Sequence, residues 1–247
     1  MVFIIKKLSS ILIEVLMPNK KKVVITQSNY IPWKGYFDAL RLADEFVLYD
    51  DVQYTKRDWR NRNKIKTPQG VQWLTIPVEV KGKFFQSIKD TKISDSKWNK
   101  KHWRAICLNY SKAPFFHQYK DYFEELYLNC NEKFISMINF RFLTGINNIL
   151  QIHTPIRFSS EFKLIEGKNE RLVDLCLQLK ATDYYTGPLA KSYIDETVFM
   201  RAGITVNYLD YTGYPEYPQL YPPFTHYVTI LDLLFNVGDD FRKYMKF

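Results

Sequence analysis

Cysteine is scarce in this chain. Cys107, Cys130 and Cys176 are the three present among 247 residues. So few, odd in number and far apart, they exclude a disulfide framework and any paired metal spacing. A reducing cytoplasm is the compartment that fits. Histidine is sparse too, and the four His with the three Cys give no zinc-type ligand spacing. There is no Gly-x-Ser-x-Gly elbow, no internal repeat, no low-complexity tract and no clear linker. No apolar run is long enough to cross a bilayer, so a soluble protein is expected. The start, Met1-Val2-Phe3-Ile4-Ile5-Lys6-Lys7-Leu8, is apolar but broken by Lys6, Lys7 and Glu14, and no small-residue cleavage site follows. Two readings stay open for residues 1–20. They are an amphipathic extension capable of weak contact with a membrane surface, or a stretch upstream of a natural start at Met17.

What is abundant is aromatic and basic. Hydrophobic residues make up 46% of the chain and aromatic residues 17%, enough for a substantial core with Tyr and Trp left for ring-bearing ligands. The net charge of +9 attracts nucleic acid, anionic lipid and phosphorylated small molecules alike. It is unevenly spread. Between Thr55 and Arg104 stand fourteen Lys or Arg against four acids, a net +10 that accounts for the whole excess.

The patterning predicts an α/β fold: a parallel-type sheet with a βαβ start, and a helical insertion around residues 95–150, in one domain over residues 21–247. Val23-Val24-Ile25-Thr26-Gln27 reads as a buried strand, Tyr36 to Ala43 as a short helix, and Glu45 to Tyr49 as a second strand. Trp73 to Val80 reads as another strand. Helices are expected from Asp95 or Ser96 to Tyr110, Tyr119 to Leu128, Glu132 to Leu150, Glu170 to Lys180, Glu196 to Ala202 and His226 to Asn236. Tyr184 to Gly187 and Ile204 to Leu209 read as strands. In parallel sheets, ligands gather at the carboxyl ends of strands, where Gln27 and Asp50-Asp51 fall.

Residues 27–66 carry the densest chemistry. The loop from Gln27 through Asn29, Tyr30, Trp33, Gly35 and Tyr36 leaves a strand and enters a helix, where unpaired N–H groups favour phosphate. Its plainer reading is a Pro-Gly turn with Trp33 packed inside. Asp50 and Asp51 are candidates for a general base or an Mg2+ ligand, or for turn capping and ion pairs with Lys56 or Arg57. Gln53, Lys56, Arg57, Trp59, Arg60, Asn61, Arg62, Asn63 and Lys64 mix cations with indole and amide groups. That mixture suits a hexose or base beside a diphosphate. His102 sits between Trp98 and Trp103, either as a neutral base or as a satisfied core residue. Gly167-Lys168-Asn169-Glu170-Arg171 opens a helix that could seat a phosphate, or is simply capped by Asn169. The Tyr- and Pro-rich loop 211–223 lines a site, forms a lid or packs on the surface.

With these residues in view, the sequence resembles the WbqC-like family. The resemblance rests on Gln27 to Phe37, Asp50 to Tyr54, Trp59 to Ile65, Trp98 to Trp103, Asn109-Tyr110 with Ala113-Pro114, and Ile230 to Asn236. It covers most of the chain from Lys22 onward. It implies a bacterial setting among enzymes of surface-polysaccharide and O-antigen biosynthesis, and hence a nucleotide-linked or lipid-linked sugar as ligand. A looser fold-level analogy joins the first loop to nucleotidyltransferase-like folds. Both histidines of their His-x-Gly-His loop are missing from Trp33-Lys34-Gly35-Tyr36.

The expected function is modification of a nucleotide-linked amino sugar, by acyl or aminoacyl transfer to the sugar amine. ATP with Mg2+ would serve if a carboxylate is activated on the way. In that scheme Lys56, Arg57 and Arg62 hold phosphates, and Asp50, Asp51 or His102 manages the amine proton. Two alternatives come from other classes. One is a nucleic-acid-binding protein, against which stands the absence of any known nucleic-acid motif. The other is a non-catalytic scaffold for membrane-associated glycosyltransferases.

Overall fold

Val23, Val24 and Ile25 are β-branched, and their side chains alternate between two apolar environments. Val23 and Ile25 pack with Leu172, Leu175, Cys176 and Phe199, whereas Val24 joins Tyr36, Phe37 and Leu40. The first strand is therefore covered on both faces. In the computed structural model, which describes residues 20–246, it is the central strand of a five-stranded parallel sheet. The expected extension at residues 1–20 lies outside the described residues, Lys20 excepted.

The chain runs β1 (Lys22–Thr26), α1 (Lys34–Leu42) and β2 (Glu45–Leu48). A hairpin of β3 (Arg62–Thr67) and β4 (Gly70–Thr75) follows. Next come three helices, α2 (Trp98–Tyr110), α3 (Phe116–Leu128) and α4 (Ile135–Leu150). The remainder is β5 (Ile156–Phe158), α5 (Asn169–Gln178), β6 (Asp183–Thr186), α6 (Glu196–Arg201), β7 (Thr205–Tyr208) and α7 (Ile230–Val237). The strand order is β5-β2-β1-β6-β7, with every neighbouring pair parallel. The mixed α/β class with a βαβ start is as expected.

That order has one consequence for function. The chain builds outward from β1 through β2 to β5, then returns to the other side of β1 to add β6 and β7. The direction reverses between β1 and β6. Loops leaving those two strands must part to opposite faces, opening a crevice at their carboxyl ends.

The helices α2–α4 share one aromatic core with the sheet. Trp98, Trp103, Tyr110, Phe116, Tyr127 and Phe142 pack in the same cluster as Val24, Phe37 and Phe235. On α2 the cations Lys97, Lys100, Lys101 and Arg104 are all exposed, as the helical period requires. The hairpin differs from expectation. Its second strand is residues 70–75 rather than 73–80, and residues 62–67 form a strand not foreseen. Arg62 and Lys64 face outward, while Asn63 and Ile65 are buried. A polar Asn at an inward position hides the two-residue alternation from a reading based on hydropathy.

Candidate functional site

Two depressions open at the carboxyl edge of the sheet, one on each face, and Thr26 of β1 and Thr186 of β6 line both. The first, about 420 Å³, is walled by Trp33, Tyr36, Trp59, Tyr211, Leu189 and Tyr227, with Asn29 and Asn63 as its amides. The second, about 720 Å³, is lined by Gln27, Tyr49, Lys168, Asn169, Arg171 and Tyr193. One is aromatic and holds no formal charge. The other carries two cations at the N-terminus of α5, where free N–H groups and the helix dipole favour anions.

The β1 exit loop is fixed from several sides. Asn63 Nδ2 donates to the carbonyls of Tyr30 (3.1 Å) and Ile31 (2.8 Å). Ile31 is held at φ 35°, a value a β-branched residue adopts only under constraint. Ile230 N donates to Pro32 O at 2.9 Å. Buried Arg60 spans the loop, donating through Nη1 to Ser28 O (3.3 Å), Gln27 O (3.4 Å) and Asn29 Oδ1. Arg60 is the cation of the basic cluster that organises the site, and it does so by clamping the loop rather than as the phosphate ligand expected of that cluster. Tyr36 adds a bond from its hydroxyl to Gln27 O at 3.1 Å.

Trp33 forms one aromatic wall, edge-on to Tyr211 at 5.1 Å and Tyr214 at 5.5 Å. Its indole lies over the backbone of Gly35. A Cβ at that position would crowd several ring carbons, Cη2 at 2.8 Å among them. Gly35→Ala is expected to cost about 1–3 kcal/mol by overpacking. It should also shift the Trp33 fluorescence and weaken ligand binding at the aromatic depression. A variant with wild-type urea midpoint and emission would show that the ring moves freely.

The Tyr- and Pro-rich loop is braced rather than hinged. Tyr214 donates to Asp38 at 2.5 Å, Lys34 Nζ to Pro215 O at 3.2 Å, and Leu220 N to Asn236 Oδ1 at 2.9 Å. Tyr217 and Gln219 both donate to Asp232. Lys34 lies over the Tyr214 and Tyr217 rings, and burial lowers its pKa to about 8. The loop supplies Tyr211 as a fixed wall.

The expected site residues scatter. Asn29, Trp33, Tyr36 and Trp59 line the aromatic depression, and Gln27 the cationic one. Tyr30 is fully buried among Trp98, His102 and Phe142. His102 is buried with it. Its Nδ1 meets Tyr30 Oη at 2.9 Å and its Nε2 meets Thr75 O at 3.1 Å. Asp50 is buried, accepting from Ser28 N at 2.8 Å and Ser136 Oγ at 2.5 Å, and burial raises its pKa. Asp51 turns the other way, to Ser159 Oγ at 2.5 Å and Lys89. Lys56, Arg57 and Gln53 are exposed. Arg62 stacks on Trp73 with its guanidinium carbon 4.0 Å from the ring centroid, and Lys64 lies 4.9 Å from the same ring. The structure thus does not bring Asp50 and Asp51 into one pocket with Lys56, Arg57 and Arg62.

The missed residues are Thr26, Thr186, Leu189 and Tyr227 on the aromatic side, and Tyr49 and Tyr193 on the cationic side. They come together only through the strand order. Among the described residues, no group of three or more His, Cys, Asp or Glu could hold a metal ion. No helix among them is long and apolar enough to cross a membrane.

The model of the WbqC-like protein family matches residues 27–244, from the β1 exit loop through the helical insertion to the last helical turn of the described residues, with β1 itself just outside. The chain belongs to the WbqC-like family. A similar protein is "Uncharacterized protein Rv1507c" of Mycobacterium tuberculosis (strain ATCC 25618 / H37Rv). It is 51% identical over 227 residues, covering 92% of this chain and 98% of that one. No solved structure matches. In this WbqC-like protein the quoted segments hold three kinds of residue. Gln27, Asn29, Trp33, Tyr36, Trp59 and Asn63 border the crevice. Arg60 fixes its loop. Tyr110, Asp232 and Asn236 brace the wall behind Tyr211.

Proposed function

We propose that this protein binds a nucleotide-linked sugar across the sheet's switch point and modifies the sugar by acyl or aminoacyl transfer to its amine. The observation that carries the reading is the junction at Thr26 and Thr186, where an aromatic depression meets a cationic one. Trp33 and Tyr211 offer ring faces and edges for a base or hexose. Asn29, whose Oδ1 is held by Arg60, offers its amide nitrogen for a hydroxyl. Lys168 and Arg171, beside the first turn of α5, suit a diphosphate. The family's setting among surface-polysaccharide enzymes supports a sugar over a free nucleotide. Of the three residues expected to move protons, Asp50 and His102 are buried, whereas Asp51 is only half-buried and adjoins Val52, a lining residue of the cationic depression. We assign it the amine proton.

Calorimetric titration with a panel of dTDP- and UDP-sugars tests this reading. At least one should bind. Arg171→Ala should weaken that binding about tenfold to a hundredfold, the worth of charge-assisted hydrogen bonds of about 1.5–3 kcal/mol. Asp51→Asn should keep binding and lose turnover. Folded protein that binds none of the panel removes the reading.

A further inference from the structure

Phe84 and Phe85 stand at the tip of the turn that begins at Lys81, 72% and 86% exposed, with rings edge-on at 5.0 Å. Neither belongs to any apolar cluster of the fold. The turn itself is well tied. Gln53 Nε2 donates to Phe84 O at 2.8 Å, Tyr54 N to Gln86 O at 2.9 Å, and Gln86 Nε2 to Glu79 O at 2.7 Å. Two large apolar side chains are therefore held out in water on a braced support. Packing within the chain does not explain them.

Size and charge say what covers them. A stable protein interface needs roughly 800 Å² from each partner, far more than two rings provide. Insertion into the headgroup–acyl boundary of a bilayer can use so small a patch when a basic cluster adds attraction to anionic lipid. Lys81 and Lys83 flank the tip and are exposed, and Lys56 and Arg57 are exposed on the neighbouring turn. Glu79 pairs with Lys83 and offsets its charge, and Lys81, Lys56 and Arg57 keep the collar cationic. Such a collar is drawn to phosphate headgroups, each Lys or Arg near the surface strengthening binding about fivefold.

We propose that the 81–86 turn is an interfacial anchor that inserts Phe84 and Phe85 into an anionic lipid bilayer, with Lys81, Lys83, Lys56 and Arg57 on its headgroups. The site goes beyond the nucleotide-sugar reading and stands without it. It also fixes how the crevice meets the membrane. Val52 lines the cationic depression, and the next residue, Gln53, holds the tip. The anchor would bring the mouth of that depression to the lipid surface.

Flotation of the full chain with phosphatidylcholine vesicles, with and without phosphatidylglycerol, tests the anchor. The chain should float with the anionic vesicles and stay behind with the neutral ones. Phe84→Ser with Phe85→Ser should cut the floated fraction on the order of tenfold. Lys81→Gln with Lys83→Gln should cut it roughly fivefold or more. Both pairs are exposed, so urea midpoints should not move. A chain starting at Met17 should still float. Retained flotation of the Phe84→Ser, Phe85→Ser variant overturns the proposal, as does failure of the wild type to float. Self-association of the wild type that this variant abolishes would overturn it as well, in favour of a second copy of the chain as the cover.

Discussion

Asp232→Ala is expected to lower the unfolding free energy by about 3–5 kcal/mol, the cost of breaking a buried charged network by removing one partner. Asp232 is fully buried on α7. Its Oδ1 accepts from Tyr217 Oη at 2.7 Å and Gln219 Nε2 at 2.6 Å, and its Oδ2 from Tyr110 Oη at 2.7 Å. Burial raises its pKa, and the three donors with the charge of buried Lys66 pull the other way. Alanine leaves the Tyr110 and Tyr217 hydroxyls without their acceptor and buried Lys66 without its countercharge, while Gln219 keeps its bond to Thr225 O. For a chain of this length, each kcal/mol is about 2–4 °C of melting temperature, so the loss should read as roughly 6–20 °C. The consequence reaches the crevice. Tyr217 and Gln219 belong to the loop that presents Tyr211, so ligand affinity should fall with stability. Asp232→Asn keeps the shape and loses acceptor capacity, and should cost about 1–2 kcal/mol. Urea unfolding of the three proteins checks the order. A change below about 1 kcal/mol for Asp232→Ala would mean that the loop is held by its other bonds alone.

Acid should weaken the protein through His102. Thr75 O can only accept, so Nε2 of the neutral ring carries the proton, and Nδ1 accepts from the Tyr30 hydroxyl. Tyr127 then donates to Tyr30 Oη at 2.9 Å, completing a buried chain of bonds. Burial lowers the His102 pKa from 6.5 to about 4, with the Thr75 bond and Asp95 opposing. Between those values the unfolded chain binds more protons than the folded one, so stability rises with pH. The His102 contribution is present in full above pH 6.5 and is lost as pH falls to about 4. Its size is on the order of 3 kcal/mol. Half-buried Asp38 and buried Asp50 and Asp232 have raised pKa values, chiefly through desolvation, and their contributions change in the opposite sense. They are common to wild type and His102→Gln, so the difference between the two isolates the ring. That difference should be largest near pH 8 and close toward pH 4. A gap that does not change with pH would contradict a neutral, fully bonded imidazole.

The sequence made some of this legible and hid the rest for identifiable reasons. The β-branched run at Val23–Ile25 and the apolar run before Asp50 revealed the parallel start, because buried parallel strands read as continuous hydrophobic stretches. The cationic stripe of α2 was visible from its period. The β3 strand was not, since polar Asn63 points inward and Lys66 is buried on the opposite face, and they find partners in the Tyr30, Ile31 and Pro223 carbonyls. Gln27, Asn29, Trp33, Tyr36 and Trp59 were singled out in the sequence and border the crevice. Thr186, 160 residues along from Thr26, was not, because only the β1–β6 pairing sets the two side by side. The basic cluster misled in part. Its density suggested a phosphate site, whereas Arg62 and Lys64 are spent on Trp73 and Arg60 on the β1 exit loop.

A crystal structure of the protein soaked with a nucleotide-sugar that binds in solution is the most direct measurement. The account predicts a diphosphate beside Lys168 and Arg171 at the start of α5, with a ring against Trp33 and Tyr211. A diphosphate seated on Lys56, Arg57 and Arg62, with the β1–β6 crevice empty, would contradict it.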